Sequence, residues 1–180
     1  MHTVKRSTST AAIVTALVGT AAVATANPAA AANYQCTTST ESIDDPAYSG
    51  PWADNWDVTV RLCAMRSGST VSTYAKLSWD GPAYTYADDS TILDGAYFNL
   101  QVKKSQAGTD PVKKSKKYHG IESRLESSGS DANYNNSYTT PVLSYAISSS
   151  HALADGELRL DWNNDGRGYW KHLFSASPTV

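Results

Sequence analysis

Oily and polar residues alternate with a period of two along most of this chain. From Trp56 to Ala64, the residues Trp56, Val58, Val60, Leu62 and Ala64 share one face, and Asp57, Thr59 and Arg61 take the other. That is the pattern of a half-buried β-strand. Val71–Trp79 repeats it, with Val71, Ala75, Leu77 and Trp79 opposed to Ser72, Tyr74, Lys76 and Ser78. Arg66-Ser67-Gly68-Ser69 between the two predicts a tight hairpin connection. Phe98, Leu100 and Val102 mark a third strand, and His119, Ile121 and Leu125 a fourth. Leu143, Tyr145 and Ile147 mark a fifth, with Pro141 at its start where a missing N–H is tolerated. Leu158, Leu160 and Trp162 form a sixth, Tyr169–Phe174 a seventh, and a short segment around Tyr34–Thr37 an eighth.

No window holds a helical three-four spacing over any length. The pattern therefore predicts an all-β chain, an antiparallel β-sandwich of about seven or eight strands with both outer faces wet. A closed β-barrel is the alternative. Alternation assigns Trp79, Trp162, Tyr145, Trp170 and Phe174 to the core and leaves His119 and His172 half-buried. Three long polar loops are expected, at Glu41–Asn55, Gly81–Asp94 and Ser127–Thr140.

The first thirty-odd residues break the rhythm. Lys5 and Arg6 precede the uncharged stretch Ala11–Ala26, and small residues follow as far as Ala32. A basic start, an apolar middle and small residues at a cut site describe a secretory signal peptide. Ala24-Thr25-Ala26 and Ala30-Ala31-Ala32 both fit the cut rule. The second is preferred because Pro28 would break a helix ahead of the cut, so the expected division is a leader over 1–32 and one β domain over 33–180. The apolar stretch, diluted by threonine and glycine, falls short of the roughly twenty residues of a membrane span, and no longer apolar run follows. The expected location is outside the cell, with no span in the mature form.

Export bears on the cysteines. Cys36 and Cys63 are the only two, and in an oxidising compartment they are expected to form one disulfide rather than a metal or catalytic pair. Without Lys5 and Arg6 the chain keeps 13 basic against 17 acidic residues, a mildly acidic balance that argues against wholesale nucleic-acid binding.

Three features could carry chemistry. Asp161-Trp162-Asn163-Asn164-Asp165-Gly166 matches the first half of a calcium loop, in which Asp161, Asn163 and Asp165 would supply alternating oxygens to a structural Ca²⁺. His172 stands where an EF-hand needs its bidentate Glu, so an EF-hand is excluded, and an Asn-Asp-Gly turn needs no metal at all. Lys103, Lys104, Lys113, Lys114, Lys116 and Lys117 flank a turn at Ala107–Pro111 and form a basic patch, expected at one end of the molecule. They suit an anionic wall polymer or acidic partner, or simply blunt a sheet edge. Trp52, Tyr84 and Tyr86 sit in polar loops, the tyrosines near Asp88 and Asp89. Aromatic rings beside carboxylates suit sugars, which stack their C–H faces and hydrogen-bond at their edges. The same rings could equally pack the loops.

Enzyme signatures are missing. There is no G-x-S-x-G elbow and no H-E-x-x-H. On a strand, Glu122 and Glu126 would stand about 13 Å apart, too far for a glycosidase pair at roughly 5–9.5 Å. The alanine-, threonine- and valine-rich leader with its Ala-x-Ala cuts, together with the Ser/Thr/Asp/Tyr-rich β domain and above all Asp54–Pro82, resembles small secreted single-domain β proteins of high-GC Gram-positive bacteria. That group has no assigned function, so the resemblance implies export and fold and carries over no catalytic residue. The expected function is a secreted, non-enzymatic domain binding a glycan, wall polymer or exported protein. A small hydrolase is the alternative, and a protease inhibitor using Glu41–Asn55 ranks behind it.

Overall fold

All of these period-two segments but one become strands. The computed structural model describes residues 33–46, 55–81, 92–127, 135–148, 151–163 and 165–180. The chain divides into a leading unit, Met1–Ala31, which lies outside the described residues, and a second unit, Ala32–Val180. The second holds β1 (Gln35–Ile43), β2 (Trp56–Ser67), β3 (Thr70–Asp80), β4 (Leu93–Lys104), β5 (Val112–Tyr118), α1 (Gly120–Glu126), β6 (Asn135–Thr139), β7 (Leu143–Ala146), β8 (Ala152–Trp162) and β9 (Trp170–Leu173). One sheet has the order β1-β2-β3-β6, with β7 also on β3, and the other β5-β4-β8-β9. Every pairing is antiparallel. The sheets stay separate, so the architecture is the sandwich and not the closed barrel. No helix among the described residues is long and apolar enough to cross a membrane.

The inner faces are those the alternation picked out. Val58, Val60, Leu62, Val71, Leu77 and Trp79 of one sheet meet Phe98, Leu100, Val102, Leu158, Leu160 and Trp162 of the other in a single core. The connection predicted at Arg66–Ser69 closes β2 on β3 one residue later, between Ser67 and Thr70, and Gly68 takes the left-handed φ of +57° that the turn requires. β6 and β7 pair with successive stretches of β3 and together form one interrupted edge. The break falls at Pro141, where Thr140 donates its N–H to the Ala75 carbonyl (2.9 Å) and its hydroxyl accepts the Ala75 N–H (3.0 Å). Cys36 and Cys63 face each other across β1 and β2 and are bonded, with Cα atoms 4.1 Å apart. Their bridge lies on the outer side of the sheet, where Tyr34 and Tyr74 meet edge to face at 4.8 Å.

Several expectations are corrected. The predicted fourth strand at His119–Leu125 is instead α1: Ile121 and Leu125 are fully buried one helical turn apart, and His119 is exposed. A spacing of four residues fits both periods, and this helix has only seven residues in which to declare itself. Glu122 and Glu126 are therefore about 6 Å apart along an axis rather than 13 Å. The strand in this region, β5, precedes the helix and is exposed at every residue but Tyr118, so it shows no apolar face. β6 occupies the end of the predicted Ser127–Thr140 loop. Tyr145 and Trp170 are 37% and 42% exposed rather than core, because both lie on short edge strands with no neighbour beyond them. His172 is half-buried as expected, with Nδ1 3.0 Å from the Glu41 carboxylate across the β1–β9 gap.

Candidate functional site

The outer face of the β5-β4-β8-β9 sheet gathers titratable and aromatic side chains from five elements and connections. Its organising feature is a bulge. The register of β4 against β8 slips between Leu93 and Gly95, which sets Gly95 opposite Asp161. Gly95 leaves a gap in the outer face that the Tyr169 ring fills from the start of β9: a Cβ at Gly95 would stand only 2.3 Å from the Tyr169 hydroxyl. Tyr97, two residues along the same face, lies 5.0 Å from the Tyr169 ring and 5.3 Å from His119. Lys117 from β5 places its ammonium 4.5 Å from the Tyr97 ring centroid, a cation–π contact that helps hold the ring. Tyr97 is nearly buried, while Tyr169 is 43% exposed. One ring is the support and the other faces solvent.

Carboxylates surround this aromatic pair. β5 ends at Tyr118 opposite Phe98, so on that side β4 runs on towards Leu93 without a strand partner, while its other side stays paired with β8. The Ala96 N–H there donates to Glu122 Oε2 at 3.0 Å, the helix side chain standing in for the missing strand. Burial holds the Asp161 carboxyl above the usual range, and the nearby Asp94 and Asp165 carboxylates push it the same way. The Tyr169 phenol is also raised, first by burial, then by Asp161, Glu122 and Tyr97, with Lys117 opposing. At neutral pH that phenol remains a hydrogen-bond donor at the surface. A polar row continues along the face from Tyr97. Glu157 accepts from Asn99 Nδ2 (3.2 Å) and from Arg159 (3.0 Å), and Asp155 pairs with Lys103. Gln101, Lys103, Asp155, Glu157, Lys171 and Leu173 line a shallow basin there.

The residues expected from sequence fare differently. Trp52, Tyr84, Tyr86, Asp88 and Asp89 lie outside the described residues, as do 47–54 of the proposed inhibitory loop. Asp161 and Asp165 lie near enough for their charges to interact, and the chain after Asp165 turns through Gly166 and Gly168, both at left-handed φ. Asp165 Oδ1 accepts the Arg167 N–H at 2.8 Å, and its buried Oδ2 has no donor among the described residues. Among the described residues no three His, Cys, Asp or Glu side chains form a metal-holding group. Lys103, Lys104, Lys113 and Lys114 lie at the hairpin end of β4 and β5, and Lys116 and Lys117 continue along β5, the edge strand.

Sequence reading missed Gly95, Tyr97, Lys117, Glu122 and Tyr169 as a group. One signal was present. A lone glycine inside a strand pattern marks a bulge or a close approach, and Gly95 is both. No protein family matches this chain, and no curated protein or solved structure shows significant similarity to it.

Proposed function

We propose that this protein is an exported, non-enzymatic β-sandwich that binds a glycan on the outer face of the β5-β4-β8-β9 sheet. The observation that carries this reading is the exposed Tyr169 ring, backed by Tyr97 and flanked by Asp161 and Glu122. A sugar stacks on such a ring and is hydrogen-bonded at its edge by carboxylates and amides. The row Asn99, Glu157 and Arg159 extends the same chemistry over further sugar units. The leader pattern and the Cys36–Cys63 bridge support export. N-terminal sequencing of the exported form is expected to start at Asn33.

The test is a polysaccharide array probed with the mature domain, followed by titration of any hit. Tyr169→Ala is expected to weaken binding about tenfold or more, as lost aromatic stacking does. Gly95→Ala, which pushes the Tyr169 ring off its seat, should weaken it similarly with the phenol still present. Flat responses across the array would end the glycan reading. Turnover of a bound glycan that Asp161→Asn abolishes would convert it to the hydrolase alternative.

A weak structural Ca²⁺ at Asp161, Asn163 and Asp165 is a second proposal, favoured by the donorless buried oxygen of Asp165 beside the desolvated Asp161. The sign of one substitution tests it. Asp161 has a raised pKa in the fold, so its charged form costs stability at neutral pH. That cost is relieved as pH falls through the folded pKa and the native state takes up the proton first. In chelator, Asp161→Asn should therefore raise Tm at neutral pH and change little at acid pH. Calcium should raise Tm of the wild type and not of the variant, and an unchanged wild-type Tm would remove the metal.

A further inference from the structure

β5 is an edge strand with the sequence Val112-Lys113-Lys114-Ser115-Lys116-Lys117-Tyr118, exposed at every position before Tyr118. Its register places Lys114 opposite Val102 and Lys116 opposite Leu100, both core residues, so these two lysines project on the inner side, where Lys114 reaches β7 of the other sheet. Lys117 projects on the outer side, over Tyr97. Lys113 is the extra residue of a bulge, since Val112 pairs with Lys103 and Lys114 with Val102. One strand thus turns ammonium groups to both of its sides.

Blunting an edge against aggregation accounts for some of this. It does not require that the charges go uncompensated, and here they do. Of the six clustered lysines only Lys103 has a carboxylate partner among the described residues, Asp155. Lys114 donates to the Ser144 carbonyl at 3.2 Å, Lys116 lies 5.2 Å from the Tyr118 ring centroid, and Lys104 and Lys113 make no side-chain hydrogen bond or ion pair within the described residues. Three carboxylates, Asp94, Asp161 and Asp165, lie together elsewhere, at the β4–β8 bulge and the turn after β8. A row of ammonium groups without carboxylate partners raises the local positive potential, which favours an anionic ligand.

We infer that the β5 edge docks a linear anionic polysaccharide. The ligand is extended because successive same-side lysines lie about 6.8 Å apart along a strand. It is recognised by charge because the cluster contains lysines only, and an ammonium attracts as a point charge where an Arg fork would select geometry. A nucleic acid fits less well, because among the described residues the strand offers Tyr118, which is buried, and no ladder of exposed rings for bases.

Fluorescent heparin is the probe, titrated into the mature domain at low and moderate salt. If about four lysines each release a counterion, the log–log salt dependence should have a slope of roughly −3. Lys113→Glu combined with Lys116→Glu keeps the edge charged and soluble and should abolish binding. Lys113→Arg with Lys116→Arg should retain it, as should Lys76→Glu on the other sheet. Tyr169→Ala should also bind heparin normally, which separates this site from the sugar platform. Three results would overturn the inference: no heparin binding at low salt, an equal loss with Lys76→Glu, or tighter binding of oligothymidylate than of heparin.

Discussion

Replacing Cys36 and Cys63 by serine together should lower the melting temperature by roughly 7–14 °C. The bridge joins residues 27 apart in sequence, and in the chain-entropy model a closed loop of that length restricts the unfolded state by about 3.5 kcal/mol. For a domain of this size each kcal/mol is worth roughly 2–4 °C. The loss should fall on stability and not on topology. Cys36 and Cys63 occupy directly opposed positions in a ladder that runs from Gln35↔Ala64 to Ile43↔Trp56, so β1 stays registered without the bond. Calorimetry of the double variant, with far-ultraviolet dichroism to show the strands intact, is the measurement. A melting temperature within a degree or two of wild type would mean that the unfolded chain is already constrained near β1 and β2.

The second large effect lies in the core beneath the candidate site. Phe98 is the largest fully buried side chain of the sandwich, and its ring occupies the space that Gly156 leaves open on β8: a Cβ there would stand 2.5 Å from the ring tip. Phe98→Ala should cost about 3–5 kcal/mol through lost burial and the cavity left behind. Gly156→Ala should cost roughly 1–3 kcal/mol by overpacking a ring that has nowhere to move. The pair should be non-additive. With Phe98→Leu in place the added methyl meets a smaller neighbour, and the penalty of Gly156→Ala should largely vanish in a denaturant double-mutant cycle. Additive costs would show that the core relaxes around the methyl, contrary to this packing.

Much of the sandwich was legible because a strand's side chains alternate whatever partner it finds. Trp56–Ala64 and Val71–Trp79 each place an apolar face inward, and those faces are the core. The two cysteines could be paired from their number and the compartment expected of the chain, and they are bonded. Where the period was ambiguous, reading failed. Ile121 and Leu125 satisfy a strand and a single helical turn equally, and β5, an edge strand at the sheet's border, buries too little to show any period. Tyr145 and Trp170 alternate correctly yet stay exposed, because burial at an edge depends on what lies beyond it.

The candidate site belongs to the other category. Gly95, Tyr97, Lys117, Glu122, Asp161 and Tyr169 are spread over more than seventy residues of chain. They meet because β4 slips register at Gly95, β5 stops at Tyr118, and α1 turns Glu122 back onto Ala96. The sequence by itself determined a two-layer β architecture, its core faces and its one disulfide bond, since these follow from local periodicity and composition. Register, edge position and the bulge were decided only in the tertiary structure. They arise from pairing between distant strands, and a shift of one residue there would turn every one of these side chains to the opposite face.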